Sequence, residues 1–184
     1  MTKTTNPGTF RPKSSGKDKE TPEIEALEQL NYEVQNMLKN SDNKNPSAVS
    51  EPAITYSAFL SNKLLIVQAI RQGMPYSLFS KIQAIIPFTI TEWADYLEIS
   101  SKSLSRYQKQ NKKLTSMHTE KVIELAEVIN LGLEVFGNTK KLMLWLETPN
   151  FALGNHRPFD LLKDSYGKEM IIGELTRINY GILV

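Results

Sequence analysis

Apolar residues return every three to four positions over most of this chain, which is the period of an α-helix packed along one face. The first such stretch follows Thr21-Pro22-Glu23, which offers an N-cap, a proline at the first helical position and an acid in the first turn. Ile24, Leu27, Leu30, Val34 and Leu38 then make one apolar stripe, predicting an amphipathic helix that ends near Asn40. From about Ser61 the helical pattern becomes dense. Leu64, Leu65, Val67, Gln68 and Ile70 predict a helix stopped at Gly73 and Pro75, and Leu78, Phe79, Ile82, Ile85 and Ile86 predict another stopped by Pro87. Thr91 reads as the cap of a short helix through Leu97, and Ser100 as the cap of one running to about Asn111. A long helix from about Met117 to Phe136 carries Val122, Leu125, Ala126, Ile129 and Leu133 on one side, and Gly137 ends it.

Three further helical segments follow. Thr139–Glu147 carries Leu142, Met143, Trp145 and Leu146 and is broken by Thr148-Pro149-Asn150. Pro158 opens a short turn through Leu162, and Gly167 separates it from a last helix over roughly Lys168–Asn179, where Ile171, Ile172, Leu175 and Ile178 are apolar. Alternating patterns of the β type are scarce, so the expected fold class is all-α. Trp145 and Phe151 flank the Thr-Pro-Asn break and read as core-filling aromatics. The helix at 21–40 has a narrow stripe and reads as an accessory helix packed on the domain, with a second partner-binding element or dimer strut as the alternatives. Residues 1–20 hold one aromatic, Phe10, among Thr, Lys, Ser, Gly and Pro, a composition that cannot offset the entropy of ordering. Residues 41–52 read as a linker.

Composition narrows the chemistry. The chain has 184 residues, 40% of them hydrophobic, and no cysteine, which excludes disulfides and thiolate zinc sites and fits a reducing cytoplasm. It lacks a run of about 18 apolar residues, so no membrane span is expected, and the basic N-terminus has no apolar core of the kind a secretory signal needs. His118 and His156 are the only histidines and show no metal-ligand spacing. No serine sits in a nucleophile elbow, no glycine pattern cradles a phosphate, and no acid/base pair of carboxylates stands out. No catalytic residue and no cofactor is expected in this chain.

The net charge of +2 hides an asymmetry: no acid occurs between Glu98 and Glu120, an interval that holds Lys102, Arg106, Lys109, Lys112, Lys113 and His118. Such a run is a candidate phosphate-contact surface, although charge alone describes a solvated helix face equally well. The local pattern adds more. Residues 91–107 read as helix, tight turn, helix, with Ala94 small where the two helices cross and Leu97, Ile99 and Leu104 placed to wedge them together. In a helix-turn-helix the second helix enters the major groove. Here that helix carries Lys102, Ser103, Ser105, Arg106 and Lys109, with Lys112 and Lys113 just beyond. Glu98 stands where the turn often needs a glycine in a left-handed conformation, at a cost in backbone strain.

The chain also carries, in order, IRQGMP before the motif, SSKSLSRY in its second helix, LAEVINLGLEVFG, WLETPNFALG, RPFDLL and a terminal RINYG. In this set, over about residues 70–184, the sequence resembles the Xre/MbcA/ParS-like antitoxins. The resemblance implies an Xre-type helix-turn-helix DNA-binding domain at 61–115 and a helical toxin-binding and dimerisation domain at 116–184, after an N-terminal extension at 1–60. It implies an antitoxin that forms a homodimer, binds operator DNA to repress its own operon and caps the active site of a cognate RES-type toxin. The NAD chemistry of such a system belongs to the toxin. The toxin-contacting C-terminus maps to Arg177, Asn179, Tyr180, Gly181, Ile182, Leu183 and Val184, and Asn155 stands where the family often has a second glycine after Ala-Leu-Gly. Read without the family, the apolar Tyr180–Val184 tail either folds back on its own core or enters a partner's groove. The rival function is an ordinary helix-turn-helix regulator whose C-terminal part only dimerises or senses a ligand.

Overall fold

The computed structural model describes residues 22–39, 54–86 and 88–182. The tail at 1–20, the Thr21 cap, most of the 41–52 linker region's neighbours up to residue 53, Pro87, Leu183 and Val184 lie outside the described residues, as does the linker itself. Among the described residues every regular element is helical: α1 (Pro22–Lys39), α2 (Tyr56–Ser61), α3 (Lys63–Gln72), α4 (Tyr76–Ile85), α5 (Ile90–Tyr96), α6 (Ser101–Gln110), α7 (Ser116–Phe136), α8 (Thr139–Glu147), a 3-10 turn (Phe151–Leu153), α9 (Pro158–Leu161) and α10 (Ser165–Asn179). One isolated antiparallel bridge joins Asn150 to His156. The fold class is all-α.

The architecture follows from α7. Its buried residues include Val122, Ile123, Leu125, Ala126, Val128 and Ile129, more than one stripe can hold. A helix apolar on several sides must be covered on several sides, and α7 packs against α2 and α3 as well as α8 and α10. The buried residues of the two halves accordingly form one continuous core. Helix α1 lies on α4 through Leu30, Val34, Met37 and Leu38, as an accessory helix. Hydrogen bonds from Ser77 Oγ to Glu33 (2.6 Å) and from Lys81 Nζ to Gln29 (2.7 Å) fix its register. Leu27, expected in that stripe, is half exposed.

Local chemistry sets most helix boundaries, and several differ from expectation. Helix α5 is capped by Thr89, not Thr91: its hydroxyl accepts from Glu92 N–H while the Glu92 carboxylate accepts from Thr89 N–H, a capping box. Helix α2, not expected, is a six-residue helix capped by Thr55, and Asn62 ends it while capping α3. Its Tyr56, Phe59 and Leu60 are buried, so tertiary packing sustains a segment too short to be helical alone. Gly167 does not separate α9 from α10 but lies inside α10, which begins at Ser165. A Cβ there would meet the Leu161 carbonyl oxygen at 2.1 Å, so glycine marks a close approach between the two helices.

One packing expectation is corrected. Phe151 is 78% exposed rather than core, because the 3-10 turn uses Leu153 as its buried anchor. Leu142, Leu146, Ile171 and Leu175 are fully buried within this chain.

Candidate functional site

Helices α5 and α6 cross through Trp93, Ala94, Leu97 and Leu104, all buried. Trp93 is the anchor, edge-on to Phe79 of α4 at 5.1 Å between ring centroids. The chain turns through Glu98, whose φ of +55° is left-handed, and Ile99 N–H then reaches back to the Ala94 carbonyl at 2.9 Å. Lys121 of α7 donates to the Glu98 carboxylate at 2.7 Å. The hydrogen bond and charge of Lys121 hold that carboxyl below the usual range. Ser100 caps α6 by accepting from Ser103 N–H at 3.0 Å.

The outer face of α6 is a shallow cationic surface. Ser100, Lys102, Ser103, Ser105, Arg106, Lys109 and Gln110 line it. Lys102, Arg106 and Lys109 are exposed, whereas Ser103 and Ser105 are half-buried, and the Ser105 hydroxyl donates to its own helix at the Ser101 carbonyl (2.9 Å). Asn111 (φ +45°) ends the helix, and Lys112 and Lys113 follow exposed. Among the described residues none of these five cations forms an ion pair. Two contacts pin the segment behind them: Leu114 N–H donates to the Met74 carbonyl, and Met74 N–H to the Thr119 hydroxyl, each at 2.8 Å.

His118 does not belong to this cationic surface. It is buried beneath α6, edge-on to Tyr107, and its Nδ1 has no hydrogen-bond partner among the described residues. Burial, then the charge of Lys121, pushes its pKa down, with Glu98 opposing. Among the described residues no group of three His, Cys, Asp or Glu side chains could hold a metal ion, and no helix is long and apolar enough to cross a membrane.

The second candidate face lies at the end of the chain. Asn150 accepts from Ala152 N–H at 2.8 Å and opens the 3-10 turn, and Gly154 and Asn155 follow with φ of +66° and +61°. Asparagine tolerates the left-handed region better than other side chains, so Asn155 fills a glycine-like position. Arg157 grips Asp160 with two hydrogen bonds of 2.8 Å across the start of α9. Lys168 at the base of α10 binds Glu124 (3.2 Å) and Glu127 (3.0 Å) of α7, and Lys63 of α3 reaches the same Glu127. Burial alone would push the Lys168 ammonium down, but the two carboxylates outweigh it and hold it up.

Helix α10 closes in a Schellman motif: Ile182 N–H bonds the Arg177 carbonyl and Gly181 N–H the Ile178 carbonyl, each at 2.9 Å, with Gly181 at φ +71°. Of the expected C-terminal residues, Arg177 is half-buried against Glu174 (3.4 Å), while Asn179, Tyr180, Gly181 and Ile182 are exposed. Leu183 and Val184 are not among the described residues. The cationic α6 face and this C-terminal face stand on separate elements.

A helix-turn-helix followed by a second helical unit is the class of protein that this fold and these two faces define. Comparison with known families places it further. Residues 65–127 match the antitoxin Xre-like helix-turn-helix domain, and residues 131–181 match the antitoxin Xre/MbcA/ParS C-terminal toxin-binding domain. The chain belongs to the Xre/MbcA/ParS antitoxin family. A curated relative, Antitoxin Xre of Yersinia enterocolitica serotype O:8 / biotype 1B, is 24% identical over 123 residues, 66% of this chain and 83% of the relative. A chain in the crystal structure of the M.tuberculosis MbcT-MbcA toxin-antitoxin complex is 23% identical with a TM-score of 0.48, covering 57% of this chain and 93% of that one.

Proposed function

We propose that this antitoxin belongs to a type II system, neutralises a RES-type, NAD-consuming toxin and represses its own operon. Residues 61–115 form the DNA-binding unit and 116–184 the toxin-binding unit, joined through α7. Helix α6 enters the major groove of operator DNA, where Lys102, Ser103, Ser105 and Arg106 face base edges and Lys109 reaches phosphates. Lys112 and Lys113 add phosphate contacts from the loop. The C-terminal segment, Arg177 and Asn179 to Val184, seats in the toxin. Two copies of the chain bind two operator half-sites, since paired half-sites suit a two-fold protein. The complex acts in the cytoplasm, and the chemistry on NAD stays with the toxin.

The observation that carries this reading is the pairing, in one chain, of five cations on and after α6 that form no ion pair among the described residues with an exposed segment at the end of the matched toxin-binding domain. The test is co-expression with the protein encoded by the adjacent reading frame. Growth rescue, NAD retention and a gel shift on the operon's own promoter are the expected results. Failure of the wild-type chain to rescue growth from that neighbour sinks the neutralisation reading, and a toxic neighbour that leaves NAD undepleted sinks the RES assignment.

A further inference from the structure

Among the described residues two side chains enclose a polar atom without a hydrogen-bond partner, Trp93 at Nε1 and His118 at Nδ1. Of the two only the imidazole gains and loses a proton near neutral pH. His118 is the third residue of α7, at the positive end of that helix's dipole. It is 6% exposed, and the Tyr107 ring of α6 lies edge-on to it with centroids 6.1 Å apart. The charges that bear on it are Lys121, one turn further along α7, and Glu98 in the turn before α6. Glu98 is itself committed to Lys121 at 2.7 Å. A neutral imidazole suits this site, because it can leave Nδ1 as a bare acceptor. An imidazolium does not: both its nitrogens must donate, and Nδ1 meets no acceptor. Protonation therefore buries an unpaired charged donor beside a helix N-terminus and an ammonium.

The helix above the histidine takes the consequence. Helix α6 buries one residue, Leu104, and its partly buried Tyr107 rests beside His118. A charged His118 that turns outward to water displaces Tyr107, and α6 tilts with it. We infer that His118 is a positioning residue for α6: neutral, it seats Tyr107 and holds the helix as operator DNA requires, and protonated, it unseats the helix and weakens that binding. This rests on the DNA-binding reading above and adds a regulation to it. The sign is the reverse of the ordinary one. A histidine on the cationic face would gain charge towards phosphate in acid and tighten binding. The pH window is also specific. Between pH 7.5 and 5.5 histidine is the side chain whose ordinary pKa is crossed. The chain has two, and His156 is exposed in the loop before α9. The Glu98 carboxyl is held below its usual range, so its pair with Lys121 persists through this interval.

The test uses the full chain and a duplex spanning the promoter of its own operon. Affinity is measured at pH 7.5 and 5.5 at fixed ionic strength, with the folded fraction followed by circular dichroism. Wild type is expected to stay folded and to lose affinity about three- to tenfold, the upper bound being set by the one pH unit below the ordinary histidine value. His118→Gln and His118→Leu cannot be charged and are each expected to change less than about twofold. His156→Gln is expected to follow wild type. The His118 imidazole signal, followed by NMR in the wild-type chain, needs no variant and is expected to titrate together with the affinity. Wild-type affinity that is unchanged or tighter in acid overturns the inference, as does a loss that accompanies global unfolding. So does a slope that survives in a folded His118 variant or vanishes in His156→Gln, or a His118 signal that titrates apart from the affinity. No binding of the duplex at pH 7.5 sinks the DNA-binding reading as well, whereas binding that ignores pH sinks this inference alone.

Discussion

Lys121 of α7 holds Glu98, the left-handed residue in the turn between α5 and α6, through an ion pair of 2.7 Å. The turn that sets α6 is thereby tied to the central helix by the side chain of the residue that strains it. A glycine would adopt this backbone freely. Glu98→Gly is therefore expected to melt at or slightly above wild type, because relief of strain offsets loss of an exposed pair. Glu98→Val, with a β-branched side chain at positive φ, is expected to melt clearly lower. The carboxyl is held below its usual range, so the pair contributes above the ordinary carboxylate pKa and is lost as pH falls through the lowered one. Melting of the three proteins at neutral and acid pH checks both the order and this sign.

On the α6 face, bases and phosphates call for different signatures. Arg106→Ala is expected to weaken operator binding by about 1–3 kcal/mol while leaving the melting temperature unchanged. Lys112→Ala and Lys113→Ala, if each removes one phosphate contact, are each expected to reduce the salt slope of binding by about one. Gel shifts over a salt series separate the two. No change in any of the three removes α6 from the interface.

His118 makes the fold acid-sensitive in a defined window. Its folded pKa lies below the ordinary histidine value, so the unfolded chain binds more protons as pH falls past about 6.5. Stability is intact above that pH and is lost as pH drops towards the lowered folded value. His118→Gln is expected to flatten this slope, provided that Lys121 and Glu98 are left in place. Urea unfolding at pH 7.5 and 5.5 on both proteins measures it. A wild-type slope equal to that of the variant overturns the assignment.

The two glycines of α10 make opposite predictions. Gly167→Ala drives a Cβ into the Leu161 carbonyl and is expected to destabilise the chain by about 1–3 kcal/mol, since backbone cannot give way as a side chain can. Gly173→Ala meets open space and is expected to be stabilising by up to about 1 kcal/mol through helix propensity. Denaturant midpoints on the two variants decide it.

Much of this was legible in the sequence for a physical reason: long helices with a sustained apolar period and strong stops announce themselves. Helix α7, with Gly137 after it, and α8, bounded by Asn138 and Thr148, fall where the period puts them. The misses share a cause in tertiary contact. Periodicity could not foresee α2, which owes its helix to buried Tyr56, Phe59 and Leu60. Thr89 and Thr91 are equivalent as caps until Glu92 is seen to reach back to Thr89. Gly167 resembles a separator in sequence and proves to be a point of close approach, visible only once α9 lies beside it. The cations of α6 could be named one by one, but their freedom from ion pairs and the burial of His118 required the neighbouring helices.

The sharpest prediction separates toxin neutralisation from plain repression. Tyr180 and Ile182 are exposed, and the Schellman stop at Gly181 directs the chain beyond α10 rather than extending the helix. If the tail seats in the toxin, deleting residues 180–184 abolishes or strongly impairs growth rescue. Aromatic and aliphatic anchors at an interface centre commonly cost about 2 kcal/mol or more each on truncation. Melting temperature and operator binding are expected to stay near wild type, because the tail's described side chains contribute little to the core. Gly181→Val, strained at φ +71°, is expected to act as a partial deletion by redirecting the tail. A tail folded on its own core predicts the reverse: lower melting, with rescue and operator binding lost together. The three measurements on one truncated protein distinguish these outcomes, and full rescue by a stable truncated chain defeats the tail mechanism.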